Sequence, residues 1–164
     1  DHHTPTAGAM TNHIVANLWF LDVKLHQIVL YLKGDQTLSL NHYYKQIIAT
    51  TREQLDQLGD LLRDDDEIVA STVEEFRQYA NLNEDPRMKY YPWSNMVDET
   101  IHDFANINLF VDRAIKLAQR EDKVALAAYL VQIRQSNQHY IRILQAMLGK
   151  EANDGLIEND ADFD

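Results

Sequence analysis

The sequence predicts an all-α protein, a four-helix bundle whose second and third helices are joined by a long crossover with a short helix of its own. Three observations carry this. Apolar residues recur at mixed spacings of three and four along four separate stretches, the repeat that lays one stripe along an α-helix. The 164 residues contain only five Gly and three Pro, and the alternating Val/Ile/Thr runs that mark strands are missing. Only about five residues separate the first two stretches, which makes them an antiparallel pair, whereas residues 64–92 separate the second from the third.

Residues 1–10 have Pro5, Gly8 and small polar neighbours without periodicity, and are expected to form a flexible arm. The chain opens on Asp1 and not Met, so sequence ahead of it is expected to be missing; His2 and His3 read as a tag remnant or an innocent tail before a chelating pair. The first helix should begin at Thr11 or Asn12, either of which can cap it. Ile14, Leu18, Leu21, Leu25, Ile28 and Leu32 then make its stripe, and Lys33-Gly34 ends it. Roughly 20 residues give a rod of about 30 Å, the span of a four-helix bundle.

Leu40, Tyr44, Ile47, Thr51, Leu55, Leu58 and Leu62 form the second stripe, which gives out in the acidic run Arg63-Asp64-Asp65-Asp66-Glu67. That run reads as a solvated connection, since the Gly and terminal Glu of an EF-hand loop are missing. Ser71-Thr72-Val73-Glu74 fits a capping box for the short crossover helix, with Val73, Phe76 and Tyr79 or Ala80 facing the bundle. The third long helix starts near Pro92 with Val97, Ile101, Phe104, Val111 and Ile115 on one side. The fourth follows Arg120-Glu121-Asp122 with Leu126, Leu130, Ile133, Tyr140, Leu144 and Met147. Residues 11–150 thus make one bundle domain, and 151–164 an acidic tail.

Composition narrows the chemistry. Zero cysteines rules out disulfides, thiolate metal sites and Cys nucleophiles. No glycine lies in a phosphate-binding context, and neither an 18-residue apolar run nor a signal peptide stands out, so a soluble intracellular protein is expected. Glu99-Thr100-Ile101-His102 is an E-x-x-H, the pattern that supplies ligands to a di-iron site within one bundle, but its needed counterpart reads Ser136 and His139, and it is expected to be a surface pair.

Lys24-Leu25-His26, Lys33-Gly34, Leu40 and the later Asp56, Asp60 and Leu61 occur in an order that resembles the Dps family, the mini-ferritins of starved bacteria. Ser71-Thr72-Val73-Glu74-Glu75-Phe76 and the stretch from His139 to Ala146-Met147-Leu148-Gly149-Lys150 extend the resemblance over most of the chain. It implies a ferritin-like fold, a hollow dodecamer, association with DNA, iron as substrate, and a bacterial, cytoplasmic, nucleoid-associated setting.

The resemblance also implies a ferroxidase centre between two subunits, with two His from one and an Asp and a Glu four residues apart from the other. Those positions here read Val29, Asn41, Asp56 and Asp60, and an accessory Asp reads Lys45. Both imidazoles are replaced, one carboxylate is shortened, and a cation stands where an anion belongs. Asp56 and Asp60 are the candidate metal ligands, for iron or another divalent cation, with His26 and His42 as possible substitutes. The expectation is a shell whose ferroxidase activity is weak or lost; the alternative is an active ferroxidase and iron store with rearranged ligands.

Charge bears on the DNA partner. The chain carries −11, and the six carboxylates Glu151, Asp154, Glu158, Asp160, Asp162 and Asp164 lie in the tail, so the rest carries −5. Such a surface repels phosphate, and DNA binding is expected to need a basic N-terminal arm or bridging divalent cations. Where the family has an acidic iron inlet, this chain has Glu121-Asp122-Lys123, and cation focusing there should be weaker.

Overall fold

The computed structural model describes residues 5–156. The helices are α1 (Ala7–Tyr31), α2 (Thr37–Asp64), the short α3 (Val73–Tyr79), α4 (Trp93–Arg120) and α5 (Val124–Met147), with a 3-10 turn at Pro86–Tyr90. The described residues contain no strand. The crossover 65–92 runs back along the bundle, so α2 and α4 point the same way and α1 and α5 the other. Ion pairs fix this register: Lys24 of α1 meets Asp103 of α4 at 2.7 Å, and Arg134 of α5 meets Asp112 of α4 at 2.8 Å.

The predicted stripes become the core. Ile14, Leu18, Leu21, Leu25, Leu40, Tyr44, Ile47, Leu58, Leu62, Val97, Ile101, Val111, Leu130 and Leu144 are all fully buried. The α1 helix is long and apolar enough to cross a bilayer by length and composition, but its stripe is spent on this core, and buried Asp22 and Lys24 lie within it.

Helix α1 begins earlier than the sequence suggested, and residues 7–10 belong to the bundle instead of an arm. Thr6 Oγ1 accepts from Ala9 N at 3.1 Å and caps the helix, while Ala7 and Met10 are buried. Both expected caps are used elsewhere: Thr11 donates to Ala7 O at 2.7 Å, and Asn12 faces the crossover. A carboxylate completes the end, since Ala7 N donates to Glu121 Oε2 at 2.8 Å, a favourable charge at a helix N-terminus. The arm's remaining residues 1–4, with His2 and His3, lie outside the described residues.

The crossover is stitched to α1 by three polar side chains that the apolar pattern did not reveal. Asn12 Oδ1 accepts from Ala70 N at 2.8 Å and its Nδ2 donates to Ile68 O at 2.7 Å. His13 Nδ1–H donates to Tyr79 O at 2.9 Å. Fully buried Asn17 accepts from Asn81 N at 2.7 Å and Leu82 N at 3.3 Å. The crossover helix caps one residue later than expected: Thr72 and Glu75 form the capping box in place of Ser71 and Glu74. Glu75 accepts from Ser71 N and from Thr72, which holds its carboxyl below the usual range.

At the opposite end Gly34 adopts φ 103, a conformation a Cβ disfavours, and turns α1 into α2 as the Lys-Gly pair predicted. The C-terminal residues 151–156 fold back as turns against α5, held by Gln145 Nε2 donating to Asp154 O at 2.9 Å and Ala152 O at 3.3 Å. Residues 157–164, with four of the six tail carboxylates, lie outside the described residues.

Candidate metal centre

Asp56 and Asp60 lie one turn apart on the exposed face of α2. Val29 is half-buried against the core, Asn41 is half-buried, and Lys45 is exposed. An amide and an alkyl group offer a metal little, and the Lys45 ammonium repels it. This donor set does not fit a di-iron centre. Among the described residues no three His, Asp or Glu side chains of one chain converge as a metal-binding group.

The two substitute histidines have other partners. His26 Nδ1–H donates to Asp22 O at 2.7 Å, and its Nε2 lies 3.5 Å from the Arg52 guanidinium. Arg52 in turn donates from Nε to Asp22 Oδ1 at 3.2 Å. Both imidazole nitrogens of His26 therefore face protein groups, and a ligand role would require breaking this Asp22–Arg52 arrangement. Exposed His42 accepts from Gln46 Nε2 at 3.1 Å.

The E-x-x-H on α4 splits. His102 is exposed, with Nδ1–H donating to Asp98 O at 2.9 Å, as a surface histidine should be. Glu99 departs from the surface-pair expectation: its Oε2 lies 3.2 Å from Lys24 Nζ, and the same ammonium reaches Asp103 Oδ2 at 2.7 Å. Lys24 is 7% exposed and Asp103 6%, so this pair is buried, with the half-buried Glu99 sharing the cation from its edge. Burial raises the Asp103 carboxyl to about 6, against the pull of Lys24 and with a smaller push from Glu99. A sequence signal existed: Lys24 sits among Leu21, Leu25 and Ile28 on the apolar face, and Glu99 and Asp103 are one turn apart on a helix that packs on it.

Tyr44 and Tyr140 take their places on the predicted stripes and also make hydrogen bonds, whereas Tyr90 is 72% exposed. Tyr44 donates to Thr100 Oγ1 at 2.7 Å, and Thr100 donates to Met96 O at 3.0 Å; burial pushes the Tyr44 phenol well up. Tyr43 lies edge-on to Tyr140 at 5.8 Å, and burial lifts its phenol to about 12. Tyr140 donates to Thr50 Oγ1 at 2.8 Å.

At the inlet position Glu121 and Lys123 are already engaged, while Asp122 is exposed. Glu121 caps α1 through Ala7 N, and Lys123 Nζ lies 2.7 Å from Glu67 Oε1 and 3.8 Å from Glu121 Oε1. A Cβ on Gly8 would lie 2.5 Å from Glu67 Oε2, so a larger residue there would push this carboxylate away from Lys123.

The fold and the position of this site define a class. Residues 9–153 match the family model described as a ferritin-like domain. The solved DpsB protein of Lactococcus lactis is 41% identical, with 94% of this chain and 89% of that one covered and a TM-score of 0.89. The DpsA protein of the same organism is 33% identical over 94% and 90%, with a TM-score of 0.88. A Listeria monocytogenes protein named DNA protection during starvation protein is 26% identical over 85% of this chain and 89% of its own length. The chain belongs to the Dps family of ferritin-like proteins.

Proposed function

We propose that the chain is the subunit of a closed Dps-type shell, a homo-dodecamer that associates with DNA in the bacterial cytoplasm and shields it. The ferroxidase activity is weak or lost. The relatives named for DNA protection support the first part. The observation that carries the second is the donor set Val29, Asn41, Lys45, Asp56 and Asp60, which can hold at most one weakly bound divalent cation through the two aspartates. Iron, as substrate or cargo, would meet an inlet where Glu121 is tied to Ala7 and Lys123 and only the exposed Asp122 is left beside that cation.

Assembly is supported by the outer face of α1 and α3. Trp19 (38% exposed), Val23 (54%) and Val73 (67%) form an apolar surface with Phe76, whose ring stacks on Trp19 at 5.4 Å. They line a cavity of about 300 Å³ with Phe20, a concave apolar surface suited to contact with a second copy.

Twelve copies at −11 each present −132, so direct phosphate contact is disfavoured. DNA is held through bridging divalent cations or through the N-terminal arm. Gel retardation with and without a chelator, on the given chain and on one lacking residues 1–6, tests this. Binding should vanish with the chelator or at modest salt. Chelator-insensitive binding by the shortened chain would overturn it.

A further inference from the structure

The solvent side of α2 carries a stripe in which, among the described residues, Arg52 alone finds a side-chain partner within the chain. Lys45, Ala49, Arg52, Asp56 and Gly59 follow at helical spacing, with Asp60 beside them. All but half-buried Gly59 are exposed. Glycine inside a helix costs about 1 kcal/mol relative to alanine. Yet a Cβ on Gly59 would meet nothing within 4 Å, so no contact within the chain requires it. Among the described residues the side chains of Lys45, Asp56 and Asp60 make no hydrogen bond or ion pair.

The stripe has a charge order. Asp56 lies about 16 Å beyond Lys45 along the axis and about 20° round it, and both aspartates follow the cation. A second α2 laid antiparallel by a two-fold axis puts each Lys45 over the other helix's aspartates, twice over, which is the self-complementarity of an isologous contact. Ala49 and Gly59 let the two backbones approach. Near the centre each Arg52 is already neutralised by its own Asp22 at 3.2 Å, so the two guanidinium groups do not force the helices apart. Arg63, near the end of the helix, is turned onto Glu67 O at 2.9 Å.

We propose that Lys45 of one copy pairs with Asp56 and Asp60 of a second, so that two ion pairs clamp an antiparallel α2–α2 contact and an ammonium takes the role of a bridging metal. This rests on the assembly proposed above and adds what holds it. It also accounts for Lys45 and the two aspartates together, as one cation site filled from within the protein.

The test is charge reversal with rescue, read by sedimentation velocity at low ionic strength in the presence of EDTA. Wild type should remain assembled with EDTA. Lys45→Glu should raise the concentration for half-dissociation about tenfold or more, and Asp56→Lys with Asp60→Lys should do the same. The triple variant Lys45→Glu, Asp56→Lys, Asp60→Lys should return to within about threefold of wild type. All four chains should keep the same helical circular dichroism, because the three positions are exposed. Wild-type assembly by Lys45→Glu, or a triple variant no better than its parents, would overturn the clamp while leaving the shell intact. A wild type found as a monomer would overturn the assembly itself.

Discussion

Replacing Asp103 by Asn tests the buried Lys24–Asp103 pair and gives a pH dependence of unusual sign. Its carboxyl lies at about 6 in the folded protein, against about 3.9 for an unfolded aspartate. The folded state therefore binds this proton more tightly than the unfolded chain. Its contribution to stability is full below about pH 4 and is lost as pH rises through about 6. Two units correspond to roughly 2–3 kcal/mol. Most carboxylates in folded proteins act in the opposite sense. Urea unfolding followed by circular dichroism at pH 4.5, 5.5, 6.5 and 7.5, at one fixed chain concentration, yields the wild-type and Asp103→Asn curves. Their difference should change by about 2 kcal/mol over this range, with wild type gaining on the variant as pH falls. A difference independent of pH would refute the assignment. Lys24→Met, which leaves Glu99 and Asp103 without their cation, should cost about 3–5 kcal/mol at pH 7.5 and less at pH 4.5.

Other variants probe the remaining contacts. Phe76→Glu places a charge on the apolar α1–α3 face; light scattering should show the assembly falling toward smaller species, because an unpaired carboxylate buried between copies costs several kcal/mol. Asn17→Ala leaves Asn81 N and Leu82 N without an acceptor. It should cost about 1–3 kcal/mol and speed amide exchange over residues 80–84, with α5 unchanged. Thr6→Ala removes the α1 cap and should lower stability by about 1 kcal/mol in the same unfolding assay.

The four long helices were legible because burying one stripe each leaves a period that survives in the residues, as Leu18, Leu21 and Leu25 or Leu55, Leu58 and Leu62 show. The start of α1 was not, because Thr6 is one of several residues near it able to cap and only the docking of Ala7 on Glu121 selects it. Asn12, His13 and Asn17 escaped notice for a related reason: each serves backbone groups far along the chain, and no local pattern marks a long-range acceptor. The candidate site was legible chiefly as a set of substitutions. Val29, Asn41 and Lys45 could be read as ligands replaced, whereas the pairing of Lys24 with Glu99 and Asp103 needed the packing of α1 on α4.

The central claim is that the site formed by these substitutions oxidises iron weakly or not at all. The direct measurement is the initial rate of Fe(II) oxidation, with oxygen and then with peroxide, on the assembled wild-type protein and on Asp56→Ala with Asp60→Ala. The account predicts a wild-type rate barely above the protein-free rate and little change in the double variant. It also predicts a clear rise when Val29→His, Asn41→His, Lys45→Asp and Asp60→Glu are combined. A fast wild-type rate that collapses without Asp56 would contradict it and make His26 and His42 the first residues to replace.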